Sequence, residues 1–396
     1  MKNDIYWLWL VLKKGIGAVT VKELTERFGC TPRGLYERDD FSEDPEMSRK
    51  LALLLSDKSL DAAKRTAERV YGLGGEIITL EDDEYPELLR HISDPPPVLY
   101  AKGRAELLRG RLTVGMVGTR NCNDYGLDAA KYICAGLAEA GAVTVSGMAA
   151  GIDSAAAAAS IRHGGLTAAV MGTGLDIIYP HGNERLFEEI TEHGAVFTEY
   201  PPGTEPYKSN FPRRNRLIAG MSRGLTVVQA PLKSGALITA SQALDEGRDV
   251  FAVPGSIFDI RHEGANRLIK DGAKPVFSAL DILEEYRYLF APSAAENMRE
   301  LRKPAAAYTA RETQKPASAA EGLTDGQKRA LTADLSGNEL KAAKLLFGGA
   351  AHIDTIAREL GITASEAGTL MLMLEMKGTV KRSGGDNFVL NDSIVV

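Results

Sequence analysis

Short apolar runs alternate with longer amphipathic segments through the middle of the chain, from residue 111 to about residue 286. The runs occupy residues 112–117, 142–145, 166–171, 195–198, 225–229 and 250–253. Each has the length of a buried strand, and helix-forming sequence separates it from the next. This sequence is rich in alanine after the first two runs, and the first such helix is predicted at residues 128–140. Because strand–helix–strand repeats favour parallel pairing with helices on both faces, this region predicts an α/β fold with a doubly wound, mostly parallel sheet.

The N-terminal part of the chain has a helical pattern instead. Residues 1–75 predict a helical domain, and its first segment, residues 5–12, is apolar enough to be buried. Gly15-Ile-Gly17 separates that segment from a second helix at residues 21–28, which Gly29 is placed to cap. A helix, a glycine turn and a helix fit either a helix-hairpin-helix that meets nucleic-acid phosphates or plain packing of two helices.

The C-terminal part predicts a winged helix behind a linker. Residues 291–321 are rich in Ala, Pro, Lys, Glu and Ser, which is typical of a flexible linker. Amphipathic helices at residues 352–360 and 365–377 precede a hairpin pattern at 379–390, in the order of a winged helix. The predicted domains are 1–75 (helical), 76–290 (doubly wound sheet), 291–321 (linker) and 322–396 (winged helix).

Composition indicates a globular protein without a built-in metal site. Of the 396 residues, 44% are hydrophobic and 25% are charged, as in soluble globular proteins. Cys30, Cys122, Cys134 and the six histidines show no metal-ligand spacing, and the odd cysteine count favours reduced thiols. Residues 5–12 are too few to span a bilayer. We therefore expect a cytoplasmic protein with no metal and no cofactor.

One stretch keeps a positive charge although the whole chain has a net charge of −6. Residues 206–244 contain six basic residues and no acid, with Phe211 and several glycines among them. Lys and Arg contact phosphates, glycine permits close backbone approach, and an aromatic ring can stack on an unpaired base. The stretch therefore fits a polyanion site, and it equally fits a solvated loop whose charges pair with acids elsewhere.

Small residues at the predicted strand ends support the first interpretation. In a parallel sheet, ligands bind beyond the carboxyl ends of the strands. These ends carry Gly118-Thr-Arg120, Ser146-Gly147, Gly172-Thr-Gly174 and Lys233-Ser-Gly235, which together predict a row of anion sites. The G-x-G-x-x-G, G-x-x-x-x-G-K-[ST] and G-x-S-x-G motifs are absent, so dinucleotide, P-loop and nucleophile-elbow chemistry are not indicated.

Ordered motifs make residues 1–290 resemble the DNA-processing protein A family, also called DprA or Smf. The motifs are Val117-Gly-Thr-Arg120, Val145-Ser-Gly-Met-Ala-Ala-Gly-Ile-Asp153, Gly172-Thr-Gly-Leu-Asp176, Tyr179-Pro180, Thr198-Glu-Tyr-Pro201, Phe211-Pro212, Arg214-Asn-Arg216, Ser234-Gly235, Gly247-Arg-Asp-Val-Phe-Ala-Val-Pro-Gly255 and Gly264-Ala-Asn-Arg-Leu-Ile269. The helical start and the winged-helix tail also fit this family's layout.

The resemblance implies a Rossmann-like core that binds single-stranded DNA. By position, the phosphate contacts would be Thr119, Arg120, Ser146, Gly147 and Lys208. Phe211 lies three positions after Lys208 in a predicted proline-bounded loop, and it would stack on a base. The remaining predicted DNA-binding residues are Arg213, Arg214, Asn215, Arg216, Lys233, Ser234 and Gly235. One or two of the arginines equally fit a bracing role against Glu199 or Asp153, and Asp153 itself fits a helix cap or strut.

The resemblance further implies a non-catalytic protein that protects incoming DNA and loads a RecA-type recombinase during natural transformation. It implies a homodimer through the C-terminal side of the core, residues 268–283, although Val276, Phe277, Leu280, Ile282 and Leu283 equally fit the core face of a final helix.

Three positions define the limits of the resemblance and the main alternative. Ala157 and Gln229 stand where the family usually has His and Glu. The alternative is a nucleotide phosphoribohydrolase on a related fold, but Gln242 falls where that class needs a carboxylate.

The second tail helix, with one cation and two acids, is a poor match for a DNA groove, which favours a protein-docking or autoregulatory role.

Overall fold

A computed structural model of the chain describes residues 4–39, 41, 47–289, 335, 337–348, 351–384 and 387–391. The chain divides into two compact units, Met1–Ala305 and Ala306–Val396. The predicted linker, 291–321, lies outside the described residues, as does the start of the predicted winged-helix domain up to residue 334.

The first unit begins with five helices: α1 (Asp4–Val11), α2 (Ala18–Phe28), α3 (Pro32–Glu37), α4 (Arg49–Ser56) and α5 (Asp61–Gly72). Helix α1 is buried along most of its length, as its continuous apolar sequence predicts. Gly29 ends α2 with a left-handed φ of 57°, which confirms the predicted cap.

The centre of this unit is a nine-stranded sheet. The strands are β1 (Glu76–Thr79), β2 (Val98–Gly103), β3 (Thr113–Val117), β4 (Val143–Ser146), β5 (Leu166–Val170), β6 (Gly194–Thr198), β7 (Gly224–Val227), β8 (Asp249–Ala252) and β9 (Lys274–Pro275). Their order is β1-β2-β6-β5-β4-β3-β7-β8-β9. All pairs from β6 to β9 are parallel, and β1 and β2 add an antiparallel edge, so the sheet is mostly parallel as predicted.

Helices cover both faces of the sheet, which confirms the doubly wound architecture. They are α6 (Glu87–Arg90), α7 (Asp124–Glu139), α8 (Ile152–Arg162), α9 (Glu184–Glu192), α10 (Asn210–Met221), α11 (Gly235–Asp245), α12 (Glu263–Lys270) and α13 (Ala279–Leu283). Leu217 of α10 and Ala240 of α11 belong to one hydrophobic cluster, and Ile133 of α7 and Ala156 of α8 belong to another. The strands lie between these clusters because both of their faces are apolar.

The N-terminal helices share a third hydrophobic cluster with the sheet. Leu8 and Trp9 of α1 belong to the same cluster as Tyr100 of β2 and Val196 of β6. The domain boundary near residue 75 therefore stays a prediction, because the core is continuous across it.

The second unit contains α14 (Gly337–Leu345), β10 (Ala351–His352), α15 (Ile353–Leu360), α16 (Ala364–Met376), β11 (Val380–Gly384) and β12 (Asn387–Leu390). The strands form a sheet in the order β10-β12-β11, and β11 and β12 are antiparallel. Ile356, Met371 and Phe388 lie in its core. This is the predicted winged-helix arrangement.

Two helices begin earlier than the sequence pattern predicts. Helix α7 begins at Asp124 rather than near residue 128, because the Asn123 side chain accepts a hydrogen bond from the Gly126 amide at 3.0 Å and caps it. Helix α10 begins at Asn210, so Phe211 lies on a helix and not in the predicted proline-bounded loop.

Candidate nucleic-acid interface

The predicted strand-end loops lie side by side at one edge of the sheet. Strands β5, β4, β3 and β7 are consecutive neighbours and mutually parallel, so their carboxyl ends point to the same edge. The loops after them carry Gly172, Gly147, Arg120 and Lys233, and Ser146 is the last residue of β4. The topology therefore confirms the adjacency that the sequence motifs required.

A cavity of about 220 Å³ opens at this edge and is named here the Phe211 cavity. Its lining residues are Arg120, Gly147, Ala149, Ala150, Tyr179, Pro180, Phe211 and Arg214. The ring of Tyr179 lies 5.4 Å from that of Phe211, between centroids, and the Arg120 guanidinium carbon lies 5.3 Å from the Phe211 centroid. Aromatic and cationic groups thus line one recess, a combination that suits a base and its phosphate.

Buried polar contacts fix the start of α10 and hence the position of Phe211. Asn210 is buried, and its side-chain amide donates to the Gly172 carbonyl at 3.0 Å. The Tyr200 hydroxyl donates to the Asn210 carbonyl at 3.3 Å. A Cβ at Gly172 would lie 3.1 Å from the Phe211 ring, so the absence of a side chain at this position leaves room for the ring. Lys208 is exposed on the turn immediately before this helix.

The loop after β3 presents Arg120 at the surface. The Thr119 amide donates to the Gln229 carbonyl at 2.7 Å, and the Thr119 hydroxyl accepts from the Asn121 amide at 3.2 Å. Gly151 has a φ of +86°, and a Cβ there would lie 2.6 Å from the Thr119 carbonyl oxygen. These contacts hold the backbone of the loop while Arg120 remains exposed.

The end of β4 and the start of the loop after it are buried. The Ser146 hydroxyl is fully buried and donates to the Asp153 carbonyl at 3.5 Å. A carboxylate oxygen of Asp153 accepts from the Gly147 amide at 3.0 Å, which gives Asp153 the predicted role of a strut. Burial raises the pKa of Asp153 to about 6, although Arg214 opposes the shift. Ser146 has no exposed atom that could contact DNA, and its direct contact with DNA stays a prediction.

The arginines of α10 have different surroundings. Arg214 is 3% exposed, and its guanidinium donates to the Gly147 carbonyl at 2.9 Å and to the Val170 carbonyl. Arg216 pairs with the Glu199 carboxylate and lies 3.6 Å from that of Asp94. The bracing alternative is therefore confirmed for Arg216. Arg213 is exposed.

Arg213 and Arg216 line a different cavity, of about 300 Å³, named here the Glu199 cavity. It is bounded by Leu12, Ile16, Gly17, Asp94, Pro96, Tyr100, Glu199 and Pro201, among others. Burial raises the pKa of Glu199, and Arg216 opposes that shift. The Gly15-Ile-Gly17 turn between α1 and α2 therefore borders the same cavity as α10, and its role in binding nucleic acid stays a prediction.

The loop after β7 supports the start of α11. The Ser234 hydroxyl accepts from the Ala236 amide at 3.2 Å and caps that helix, while Lys233 and Gly235 are exposed. The Asn215 side-chain amide lies 3.5 Å from the Gly235 carbonyl and links α10 to this loop. Ser234 and Asn215 thus have internal hydrogen bonds, and Lys233 presents its charge to solvent.

The positions that depart from the family pattern have structural roles. The Gln229 amide nitrogen donates to the Asn123 side-chain oxygen and approaches the His262 Nε2, both at 2.8 Å. A carboxylate at this position could not donate either hydrogen bond. Ala157 is fully buried in the core. The Gln242 amide donates to the Pro212 carbonyl at 3.2 Å and so supports α10.

Tyr179 and Asn210 are not among the residues predicted for the site. Tyr179 belongs to the Tyr179-Pro180 motif, and it lines the cavity with its ring centroid 5.4 Å from that of Phe211. Within the described ranges, no cluster of His, Cys, Asp or Glu is arranged to hold a metal ion. No described helix combines the length and apolar character that crossing a membrane requires.

Comparison with known proteins places this geometry in a family. Residues 76–287 match the model of DNA recombination-mediator protein A, and residues 314–386 match that of the DprA winged helix domain. The DNA processing protein DprA of Bacillus subtilis is 46% identical over 212 residues, which cover 54% of this chain and 71% of the relative. Protein Smf of a Synechocystis species is 38% identical over 291 residues, covering 71% and 72%.

Solved structures agree with these sequence matches. DNA processing protein A from Streptococcus pneumoniae superposes with a TM-score of 0.58 and 36% identity, over 72% of this chain and 98% of that one. DNA processing protein A from Helicobacter pylori, whose structure concerns its single-stranded DNA binding mode, gives 0.50 and 30%, over 55% and 98%. The chain therefore belongs to the DNA recombination-mediator protein A family, also known as DprA or Smf.

Proposed function

We propose that this protein binds single-stranded DNA at the carboxyl edge of its parallel sheet, without catalysing a reaction on it. The observation that carries the proposal is the Phe211 cavity, where an aromatic platform and the exposed Arg120 converge at the end of a row of strand-end loops. A base stacked on Phe211 would leave its phosphates near Arg120 and Lys208. The Helicobacter pylori relative has a single-stranded DNA binding mode, which supports this assignment.

The composition of the cavity favours binding over hydrolysis. Among the described residues that line it there is no carboxylate, whereas glycosidic cleavage uses carboxylates to stabilise an oxocarbenium-like charge. Gln242, the position that the phosphoribohydrolase alternative needs as Glu, is an amide directed at the Pro212 carbonyl. We therefore propose a non-enzymatic role.

A salt series tests the binding site. We expect affinity for a poly-dT oligonucleotide to fall steeply with salt, because bound phosphates release counterions. Lys208→Ala and Phe211→Ala should each weaken binding by about 1–3 kcal/mol, through loss of a phosphate contact and of base stacking respectively. Fluorescence anisotropy with single-stranded and duplex probes of equal length measures both effects.

Matched substitutions at exposed positions elsewhere provide the controls. Lys64→Ala on α5 removes a lysine, and Tyr288→Ala removes an aromatic ring that is 67% exposed, two residues after the Tyr286 that bonds to Asp249 at the amino end of β8. Both controls should bind like the parent. If Lys208→Ala and Phe211→Ala also bind like the parent, the assigned site is wrong.

We further propose that the protein protects incoming DNA and delivers it to a RecA-type recombinase as a homodimer. The family's description as a recombination mediator supports delivery. In residues 268–283, Val276, Ile282 and Leu283 are core residues, whereas Phe277 is 67% exposed and available for self-association. Recombinase filament formation on oligonucleotide coated with single-strand binding protein should accelerate when this protein is added. Phe277→Arg should lower the sedimentation coefficient.

A further inference from the structure

We propose that Arg214 is a positioning residue of the DNA site: it holds the strand-end loops and Phe211 in one arrangement and does not contact DNA phosphates itself. This inference rests on the proposed single-stranded DNA function and assigns a role within that site. Arg214 lies in a run of cations for which the sequence leaves both DNA binding and internal bracing open, and this assignment places Arg214 among the bracing groups.

The first support is the set of groups that the Arg214 guanidinium contacts. One nitrogen, Nη1, donates to the Gly147 carbonyl after β4, at 2.9 Å, and to the Val170 carbonyl at the end of β5. The guanidinium carbon lies 5.9 Å from the Phe211 centroid. A single side chain therefore connects two adjacent strand-end loops and the aromatic platform.

The second support is burial. Arg214 is 3% exposed, whereas Lys208 and Arg213 on either side of Phe211 are exposed. A Cβ on Gly147 would lie 2.5 Å from Nη2 of Arg214, so the guanidinium is packed directly against the Gly147 backbone. A phosphate could not reach the enclosed Arg214 guanidinium without displacing the loop after β4.

The third support is an internal counter-charge. Asp153 is buried near Arg214, and its carboxylate accepts a hydrogen bond from the Gly147 amide at 3.0 Å. Burial lowers the pKa of Arg214 to about 10, opposed by Asp153, so the guanidinium remains charged at neutral pH. The charge of Arg214 is thus balanced inside the protein, and Gly147 lies between the two charged groups.

The test separates positioning from contact by the salt dependence of binding. Arg214→Gln in the full chain, with poly-dT as the probe, should lower affinity about tenfold while the slope of log affinity against log salt stays at the parental value. Lys208→Ala is the reference for a phosphate contact and should reduce that slope by about one. Arg111→Gln, at an exposed arginine just before β3 and so at the amino edge of the sheet, is the control and should change neither quantity.

Three results would overturn the inference. A slope reduced by about one in Arg214→Gln would show a direct phosphate contact. Parental affinity in that variant would show a role in stability alone. Absence of binding by the parent to any single strand would overturn the proposed function and this inference with it, whereas the first two results leave the proposed function intact.

A second variant keeps the test decisive if Arg214→Gln does not fold. The double variant Asp153→Asn, Arg214→Gln removes both buried charges and leaves no uncompensated carboxylate. It should unfold at a higher urea concentration than Arg214→Gln, and it should still show the tenfold loss of affinity with a parental salt slope. Parental affinity in the folded double variant would overturn the inference.

Discussion

The Phe211 cavity and the Glu199 cavity both receive arginines from the first turns of α10, yet their charges are arranged in opposite ways. In the Glu199 cavity, Arg216 pairs with Glu199 and lies near Asp94. In the Phe211 cavity the exposed cation, Arg120, lies against the Phe211 ring. The charge of the buried Arg214 is balanced by the buried Asp153 carboxylate. The basic run therefore supplies a structural ion pair through Arg216, and it supplies Phe211 and the buried Arg214 to the candidate ligand site.

This difference shows that the number of cations in a sequence segment does not measure the charge available to a ligand. Of the arginines that sequence reasoning assigned to DNA, Arg214 and Arg216 are engaged internally, and Arg120 and Arg213 are exposed. An ion pair in water contributes little, but breaking a buried one is costly. The two cavities should therefore respond to mutation in different measurements.

The largest effect is expected in the Glu199 cavity. Glu199→Ala should lower the free energy of unfolding by about 3 kcal/mol, because it leaves the largely buried Arg216 with only the longer 3.6 Å contact to the Asp94 carboxylate. Urea denaturation measures the loss, and binding of poly-dT by the folded protein should keep its salt slope. An unfolding free energy equal to that of the parent would mean that the pair is a surface contact.

The Phe211 cavity should show the reverse behaviour. Arg120→Ala should weaken single-stranded DNA binding by about 1–2 kcal/mol and reduce the salt slope by about one, since an exposed phosphate contact is lost. Its unfolding free energy should stay close to the parental value. If Arg120→Ala is stable and binds single-stranded DNA like the parent, Arg120 does not contact DNA and the two cavities do not differ in this function.

The buried carboxylate below the Phe211 cavity predicts a pH dependence of stability. Burial raises the folded-state pKa of Asp153 to about 6, above its ordinary value of 3.8. Lowering the pH from about 7 to about 5 therefore protonates Asp153 in the folded protein but not in the unfolded chain, which stabilises the fold by about 1 kcal/mol. This gain should be missing in Asp153→Asn, as urea denaturation at the two pH values can show; equal gains would contradict the assignment.

The smallest effect is expected for Arg213, the exposed arginine at the Glu199 cavity. Arg213→Ala should change the free energy of unfolding by no more than about 0.5 kcal/mol, because exposed charges in water contribute little. Thermal or urea unfolding measures this. A loss as large as that of Glu199→Ala would place Arg213 in the same ion-pair network as Arg216.

Much of the fold follows from the sequence because it depends on local patterns. The apolar runs around Val114, Val145 and Val170 form neighbouring parallel strands, and the helix and hairpin patterns of the tail form a winged helix. The prediction of a loop around Phe211 was wrong. Pro212 suggested a loop, but proline is tolerated in the first turn of a helix, and Pro212 lies in the first turn of α10. Strand β1 was not predicted, because its four residues are too few to show the alternation of apolar and polar positions that marks a strand.

Local sequence patterns are sufficient to give the succession of strands and helices along the chain, the family motifs and the small residues at strand ends. Which cations are exposed depends on tertiary contacts, because the partners of Arg214 and Arg216 are far away in sequence. Gly147 lies 67 positions from Arg214, and Glu199 lies 17 positions from Arg216. Burial and pairing depend on such distant contacts, and they separate the candidate DNA contacts from the groups that hold them in place.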